Sequence, residues 1–266
     1  MKILKIYIIT ASLGLIISSC TKVIDLKLGN NSGQLVIEAN INNARTTQTV
    51  KLSRNVPFDS TNTYPPVTGA NVTITDDKGD NYQLAESPAG IYTIDRVEGI
   101  SGNSYTLTVL TGGKTYTAIS VMPKAVRMDS LTSANSIFNN NNNDKQDISV
   151  HFQDPPGVAN QYRFVMYVNN VQVKTIFAYN DEFNDGKYVD IDLQENDIDI
   201  YPFDEVTVEM QCIDKPIYTY WLTLAQQEDS GPGGTVTPSN PPTNITPTTL
   251  GYFSAHTTQS ITFEVK

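Results

Sequence analysis

The residues best suited to chemistry are acidic and lie close together in the sequence. Between Asp181 and Glu205 there are ten acidic residues and one basic residue, Lys187. Carboxylate oxygens are the ligands that calcium prefers in proteins. The candidate calcium ligands in this segment are Asp181, Asp185, Asp190 and Asp192. The segment does not follow the ligand order of an EF-hand loop.

A second interpretation of the same segment needs no metal. Gly186 would end a turn, and the strand after it would alternate buried residues with solvated ones, such as Ile191 with Asp190 and Asp192. We favour this interpretation and predict no metal in the protein. Calcium remains the alternative.

The common catalytic motifs are not present in the sequence. Its two histidines, His151 and His256, have no Cys or His at the spacing of zinc ligands. No Gly-x-Ser-x-Gly elbow occurs, and Thr108 stands where a phosphate loop ending at Gly113 would need a glycine. We therefore predict that the chain is not an enzyme. A carboxylate-based hydrolase is a weaker alternative, because the separation of two carboxylates cannot be read from a sequence.

A different chemistry is predicted at Cys20. Two early lysines precede an apolar run from Ile6 to Ile17, which is shorter than the roughly 20 residues of a membrane-spanning helix. The run ends in Ile17-Ser18-Ser19-Cys20, which resembles the bacterial lipobox, whose cysteine accepts a lipid. We predict a lipoprotein signal peptide over 1–19 and a lipidated tether over 20–32. Acyl chains such as palmitate then hold the protein at a membrane, at about 0.8 kcal/mol per buried methylene.

Charge and cysteine content limit the partners and the covalent links. Removal of residues 1–19 takes away two lysines and brings the formal net charge from -10 to -12, so nucleic acid is excluded as a partner. Cys212 is the one other cysteine, and a lipidated Cys20 leaves it no partner for a disulfide. Cys212 alternates with Val206, Val208 and Met210, which predicts a buried thiol on a strand.

Alternating apolar residues and regularly spaced turns predict an all-β fold of two immunoglobulin-like β-sandwich domains. The first domain is predicted over 33–123, with about seven strands and with hairpin turns such as Thr111-Gly112-Gly113-Lys114. The second is predicted over 124–266, after an Asn-rich tract at 139–143. Asn169-Asn170 has the composition of a two-residue hairpin turn.

The second domain is predicted to contain one short helix, at 216–228. Asp214 is suited to cap it, and Pro216 fits its first turn. Ile217, Trp221 and Leu224 share one face at helical spacing, so we predict that Trp221 packs in a core rather than serving as a ligand platform. Residues 231–249 are rich in Pro, Gly and Thr and predict an extended surface loop.

Three parts of the chain resemble a known family. They are Cys20-Thr21-Lys22-Val23-Ile24-Asp25-Leu26 at the start, Gly69-Ala70-Asn71-Val72-Thr73-Ile74 in the middle, and Asn240-Pro241-Pro242-Thr243-Asn244-Ile245 with Leu250-Gly251-Tyr252-Phe253-Ser254-Ala255 near the end. The family is a group of Bacteroidetes outer-membrane lipoproteins known as domain of unknown function 4249. The resemblance covers nearly the whole mature chain and implies no catalytic residues.

The resemblance implies an outer-membrane lipoprotein that faces the cell exterior. Its implied partner is a TonB-dependent transporter of the starch-utilisation type, which the chain would assist as a non-enzymatic accessory or ligand-capture subunit. A structural scaffold in a larger outer-membrane assembly is the alternative. Binding loops commonly lie on rigid sandwiches, so we place partner contacts in loop 231–249, in segment 181–205 and at the following residues. They are Pro241, Pro242, Asn244, Tyr252 and Phe253.

Overall fold

The computed structural model describes residues 32–57, 60, 63–136, 144–228 and 239–266. The predicted signal peptide 1–19, Cys20, nearly all of the tether, the tract 139–143 and residues 231–238 of the predicted loop lie outside the described residues. Contacts group Ser32–Lys266 into one compact unit. Within the described ranges, no helix is long and apolar enough to cross a membrane.

Strands dominate the described chain, with one helix among them. The strands are β1 (Leu35–Asn42), β2 (Thr46–Arg54), β3 (Asn71–Asp76), β4 (Asn81–Glu86), β5 (Ile91–Val97), β6 (Ser104–Thr111), β7 (Lys114–Val121), β8 (Met128–Asn135), β9 (Gln146–Gln153), β10 (Gln161–Val168), β11 (Val171–Gln172), β12 (Phe177–Asn180), β13 (Tyr188–Asp192), β14 (Glu205–Cys212), β15 (Ile245–Thr246) and β16 (Leu250–Glu264). The helix, α1, is Lys215–Glu228. The prediction of an all-β fold of sandwich-like sheets is confirmed.

The first hydrophobic core is enclosed by strands that are hydrogen-bonded in the order β16-β1-β2-β5-β4-β3-β6-β7-β15. β1 shows why these residues form a strand with one buried face. Leu35, Ile37, Ala39 and Ile41 are buried, and the residues between them are half-buried. This period of two is the pleat of a strand with one side toward the core. β16 and β7 contact each other, so the two ends of the path meet and close the core.

The second hydrophobic core lies between two groups of strands. One group is β11-β10-β14-β16, with β12 also paired to β10, and the other is the separate sheet β13-β9-β8. β10 contributes Tyr162 and Phe164, which contact Phe152 of β9 as aromatic pairs. Both Phe152 and Phe164 are almost fully buried. We call the strands around the first core the first module and the strands around the second core the second module. The second module carries the acidic segment described below.

β16 belongs to both cores, and this differs from the predicted assignment of 124–266 to the second domain. Its first half pairs in parallel with β1, and its second half pairs antiparallel with β14. Ile245, Phe253 and Ala255 pack in the first core. Pairing between residues about two hundred positions apart leaves no local sequence signal. The boundary at residue 123 remains a prediction.

Two hairpin turns have the backbone that their residues predict. Asn169 and Asn170 have φ values of 49° and 65°, between the paired residues Val168 and Val171. Gly112 and Gly113 also have positive φ, between Thr111 and Lys114. Positive φ at both central positions gives the twist that a two-residue hairpin needs. These predictions are confirmed.

Asp214 links α1 to the first core. Its Oδ1 accepts the backbone N–H of Ile217 at 3.2 Å, which is the predicted helix cap. Its Oδ2 accepts the Ser120 hydroxyl at 2.8 Å and the Val121 N–H at 3.0 Å. Ser120 Oγ in turn accepts the N–H of Ala255 at 2.9 Å. Burial raises the pKa of Asp214, and these donors oppose that rise. One carboxylate therefore connects α1, β7 and β16.

We expect Asp214→Ala to lower the free energy of unfolding by about 2 to 3 kcal/mol, because a helix cap is lost and the Val121 donor loses its acceptor. Urea denaturation monitored by circular dichroism measures this change. Lys215→Ala is the control, since Lys215 is exposed at the neighbouring position. Equal stabilities of the two variants would contradict the role given to Asp214.

Candidate functional site

A cavity among the described residues lies at one end of the first core, where β1 begins and β2 ends. We call it the terminal cavity, and its volume is about 710 Å³. It is lined by Gly33, Gln34, Leu35, Arg54, Thr111, Gly112, Lys114, Tyr116, Asn240, Pro241, Pro242, Thr243, Thr248, Thr249 and Leu250. Five parts of the chain thus meet around it: the start of β1, the end of β2, the β6–β7 hairpin, the proline-containing segment before β15, and the start of β16 with the two threonines before it.

The terminal cavity is cationic in an otherwise acidic protein. Arg54 and Lys114 line it, and no acidic residue is among its lining residues. Arg54 Nη1 donates to the carbonyl oxygen of Gly33 at 2.7 Å. Lys114 is exposed and forms no ion pair with any described residue. Tyr116 and the two prolines add apolar surface. The cavity therefore suits a partner that combines an anionic group with apolar contacts.

The five predicted partner-binding residues do not form one surface. Pro241 and Pro242 line the terminal cavity, and Pro242 is exposed. Tyr252 is 8% exposed and Phe253 is 0% exposed, so neither can contact a partner in this fold. Their prediction as contact residues needs correction. Phe253 alternates with Gly251 and Ala255 along β16, and the strand turns this face into the first core.

The side chain of Asn244 is half-buried, and its role is structural. Its Nδ2 donates to the carbonyl oxygens of Phe253 at 2.7 Å and Ile119 at 3.1 Å. Its Oδ1 accepts the Phe253 N–H at 3.0 Å. The amide thereby pairs like a short piece of strand between β16 and β7. It holds the segment of Pro241 and Pro242 in place at the cavity.

The helix covers an aromatic cluster on the outer side of β10. Trp221 and Tyr220 contact each other and Tyr252, with ring centroids about 5 Å apart. The guanidinium of Arg163 lies 3.7 Å from the Trp221 ring centroid, and its Nη1 donates to Gln211 at 3.1 Å. Burial lowers the pKa of Arg163. Packing of Trp221 against neighbouring side chains agrees with the prediction, and the arginine uses its aromatic face.

Three carboxylates converge in the second module. Ligand oxygens of Asp154, Asp181 and Asp185 all lie within 4.8 Å of one another, and Asp154 and Asp181 are buried. A cavity of about 300 Å³ lies beside them. Asp154 Oδ1 accepts the Tyr162 hydroxyl at 2.5 Å, and its Oδ2 accepts the Gly186 N–H at 3.0 Å. We call this group the carboxylate cluster.

The carboxylate cluster overlaps only partly with the predicted calcium ligands. Asp181 and Asp185 belong to it, whereas Asp190 lies 3.5 Å from the His151 ring and Asp192 accepts the Ser149 hydroxyl. The missing member is Asp154, which precedes the acidic segment by 27 positions. Its Asp-Pro-Pro-Gly turn was the signal in the sequence, because such a turn can bring a carboxylate toward another loop.

The buried histidine and cysteine lack the surroundings of catalytic groups. Burial lowers the pKa of His256 to about 4, and its Nδ1 lies 3.0 Å from Ser254 Oγ. Cys212 is 3% exposed, which confirms the predicted buried thiol. Its Sγ accepts the Val126 N–H at 3.3 Å, and burial raises the pKa of the thiol. A nucleophilic cysteine needs the opposite shift and an exposed position.

The fold and its sites define an all-β protein of sandwich-like sheets with a cationic terminal cavity. The chain belongs to the family described as Domain of unknown function (DUF4249), whose model matches residues 21–262. This confirms the predicted membership of domain of unknown function 4249, while the Bacteroidetes outer-membrane lipoprotein part of that prediction stays a prediction. No curated protein matches the chain.

A solved structure that matches is a two fibronectin type-III domain segment from chicken tenascin. It is 11% identical, with a TM-score of 0.22, and the match covers 68% of this chain and 90% of that chain. A TM-score this low supports no functional argument.

Proposed function

We propose that this chain is a lipid-anchored lipoprotein of the bacterial outer membrane, of the Bacteroidetes type, and that it faces the cell exterior. It acts without catalysis, as an accessory or ligand-capture subunit of a TonB-dependent transporter of the starch-utilisation type. The terminal cavity is its contact surface. The observation that carries the proposal is this cationic cavity, to which Arg54, Lys114 and the proline-containing segment all contribute.

The position of the cavity along the chain supports contact with a membrane protein. Gly33 lines the cavity and lies 13 positions after Cys20. A fully extended tether of that length spans at most about 45 Å, at roughly 3.5 Å per residue. Lipid on Cys20 would therefore keep the cavity within reach of loops that an embedded partner exposes at the surface.

The residues around the cavity support binding over catalysis. Its titratable side chains are Arg54, Lys114 and Tyr116. Among the residues that the structure describes, no carboxylate, histidine or cysteine lines it to act as a base or nucleophile. Arginine and lysine at the edge of an open cavity steer anionic groups toward it, and the prolines offer a surface that loses little conformational entropy on binding.

A photo-crosslinking amino acid at Pro242 tests the proposal in intact cells. We expect it to capture an outer-membrane transporter, identified by mass spectrometry, because Pro242 is exposed at the cavity. The matched control is the same amino acid at Val171, which is 59% exposed on β11 in the second module. Lys114→Glu should reduce capture several-fold, because it reverses a charge in the cavity.

Two outcomes would contradict this function. One is capture of the same proteins with equal yield from Pro242 and Val171. The other is a protein that takes up labelled palmitate on Cys20 but is recovered only as a free monomer from gentle detergent. Absence of palmitate on Cys20 would overturn the anchor itself.

A further inference from the structure

We propose that the carboxylate cluster, together with the side-chain oxygen of Asn160, is a calcium-binding site. The site joins two loops of the second module: the loop between β9 and β10, which carries Asp154 and Asn160, and the loop between β12 and β13, which carries Asp181 and Asp185. This inference is independent of the function proposed for the terminal cavity.

The first argument is the charge of the carboxylate cluster. Three carboxylate groups lie within 4.8 Å of one another, and two of them belong to buried residues. No described lysine or arginine forms an ion pair with Asp154, Asp181 or Asp185. Lys187 is close in sequence, but its Nζ donates to the carbonyl oxygen of Phe183 at 2.8 Å. Buried carboxylates without a cation repel one another, and a bound cation would remove that repulsion.

The hydrogen bonds within the cluster leave acceptor capacity for a cation. Asp181 Oδ2 accepts the Asn160 N–H at 2.7 Å, and Asp185 Oδ1 accepts the Gly157 N–H at 2.7 Å. Each of these oxygens uses one lone pair in this way, and a carboxylate has about four acceptor sites. The donors fix the orientation of the carboxylates, as the outer partners of metal ligands do.

The second argument is an independent one and comes from Asn160. This residue is 6% exposed, and its side-chain Oδ1 is buried without a hydrogen-bond partner among the described residues. The backbone of Asn160 forms two hydrogen bonds with Asp181. Its N–H donates to Asp181 Oδ2, and its carbonyl oxygen accepts the Asp181 N–H at 3.2 Å. Asn160 is thus bonded directly to a member of the cluster, and its side-chain oxygen lacks a donor in the described part of the chain. A buried acceptor without a donor calls for a bound ion or water, and an amide oxygen is an ordinary calcium ligand.

The ligand set favours calcium among the hard cations. Three carboxylates and an amide oxygen, supplied by two loops, suit the six to eight oxygen ligands and the flexible geometry of calcium. Magnesium demands a near-ideal octahedron and keeps most of its water. Bound calcium would therefore link the two loops. Phe183, which is 79% exposed, lies at the tip of one of them.

Terbium luminescence and thermal unfolding of the purified full chain test the site. Terbium replaces calcium in oxygen sites, and Tyr162 would sensitise it because its hydroxyl lies 2.5 Å from Asp154. We expect calcium to displace terbium and to raise the melting temperature by several degrees. Asp181→Asn and Asp185→Asn should each weaken calcium binding roughly tenfold or more. Asn160→Ala should weaken it as well, which separates a built site from a merely acidic surface.

The matched control is Glu205→Gln, which removes the same charge at the exposed start of β14, outside the cluster and the cavity beside it. This variant should bind calcium like the unmodified chain. The proposal is overturned if millimolar calcium leaves the melting temperature unchanged. It is equally overturned if Asp185→Asn and Glu205→Gln weaken binding to the same extent, or if magnesium binds as tightly as calcium. Asp185 is exposed, so its variant is expected to fold even if Asp181→Asn does not.

Discussion

Replacing Gly251 with alanine is expected to cost more than about 4 kcal/mol of folding free energy, which is enough to unfold many proteins of this size. Gly251 pairs with Ile37 in the parallel ladder between β1 and β16. An added Cβ would overlap the carbonyl oxygen of Ile37 and lie 2.7 Å from its carbonyl carbon. The backbone there also has a φ of +98°, which side chains rarely adopt. Backbone atoms in a ladder cannot move aside without breaking it.

Gly113→Ala is the matched control for Gly251→Ala. Gly113 also has a positive φ, but nothing lies within 4 Å of the position that a Cβ would take. Substitution of Gly113 should lower the folding free energy by only about 1 to 2 kcal/mol, because it adds backbone strain but no overlap. Urea denaturation of both variants, followed by circular dichroism, separates overlap from strain. Similar losses in the two variants would show that β16 does not approach β1 as closely as described.

The second large effect is a loss of stability in acid through His256. The folded chain holds the pKa of His256 at about 4 because the ring is buried, while an unfolded histidine titrates near 6.5. Between these values the unfolded state binds a proton that the folded state excludes. The free energy of unfolding therefore falls as the pH drops from about 6.5 to about 4. The full effect is about 3 kcal/mol, and it is absent above pH 6.5.

Urea denaturation at several pH values between 4 and 7 measures the contribution of His256. His256→Asn removes the titrating group, so its stability should depend less steeply on pH across this window. His151→Asn is the control, because His151 is only partly buried on β9, beside Asp190. An unchanged pH dependence in His256→Asn would show that the ring is accessible to protons in the folded protein.

The strands and turns of this fold were predictable because their signals are local. The alternation of Leu35, Ile37 and Ala39 reports which face of β1 is buried, and no distant residue is needed to read it. The turn at Asn169-Asn170 and the cap at Asp214 were likewise encoded by a few neighbouring residues. Each depends on side chains that satisfy or bend the backbone within a short stretch.

The long-range pairing of β16 could not be predicted from the same signals. Tyr252 and Phe253 follow a loop rich in Pro and Thr, so they looked like part of an exposed contact surface. Their burial depends on β1, whose residues are about 214 positions earlier in the chain. A strand that serves two cores also has no composition that separates it from two shorter strands.

The carboxylate cluster was half predictable for a related reason. Asp181 and Asp185 stand in a visibly acidic segment, but proximity in sequence also suggested Asp190 and Asp192, which line the same cavity but contact His151 and Ser149 instead of joining the cluster. Asp154 and Asn160 reach the cluster from another loop. The terminal cavity is similar, since Arg54, Lys114 and Pro241 come from three distant parts of the chain. Such sites are products of tertiary structure.

The sharing of β16 between the two cores has a consequence for biogenesis. During synthesis or passage through a translocation channel, β1 emerges early but has no partner on one side until residues 250–256 follow. β14 likewise lacks one of its partner strands until residues 257–264 have emerged. Neither core can reach its final hydrogen bonding before the C-terminal strand is available, so a nascent chain stays loosely ordered and threadable until late. This delay would suit the exported lipoprotein proposed above, because translocation channels accept unfolded substrates.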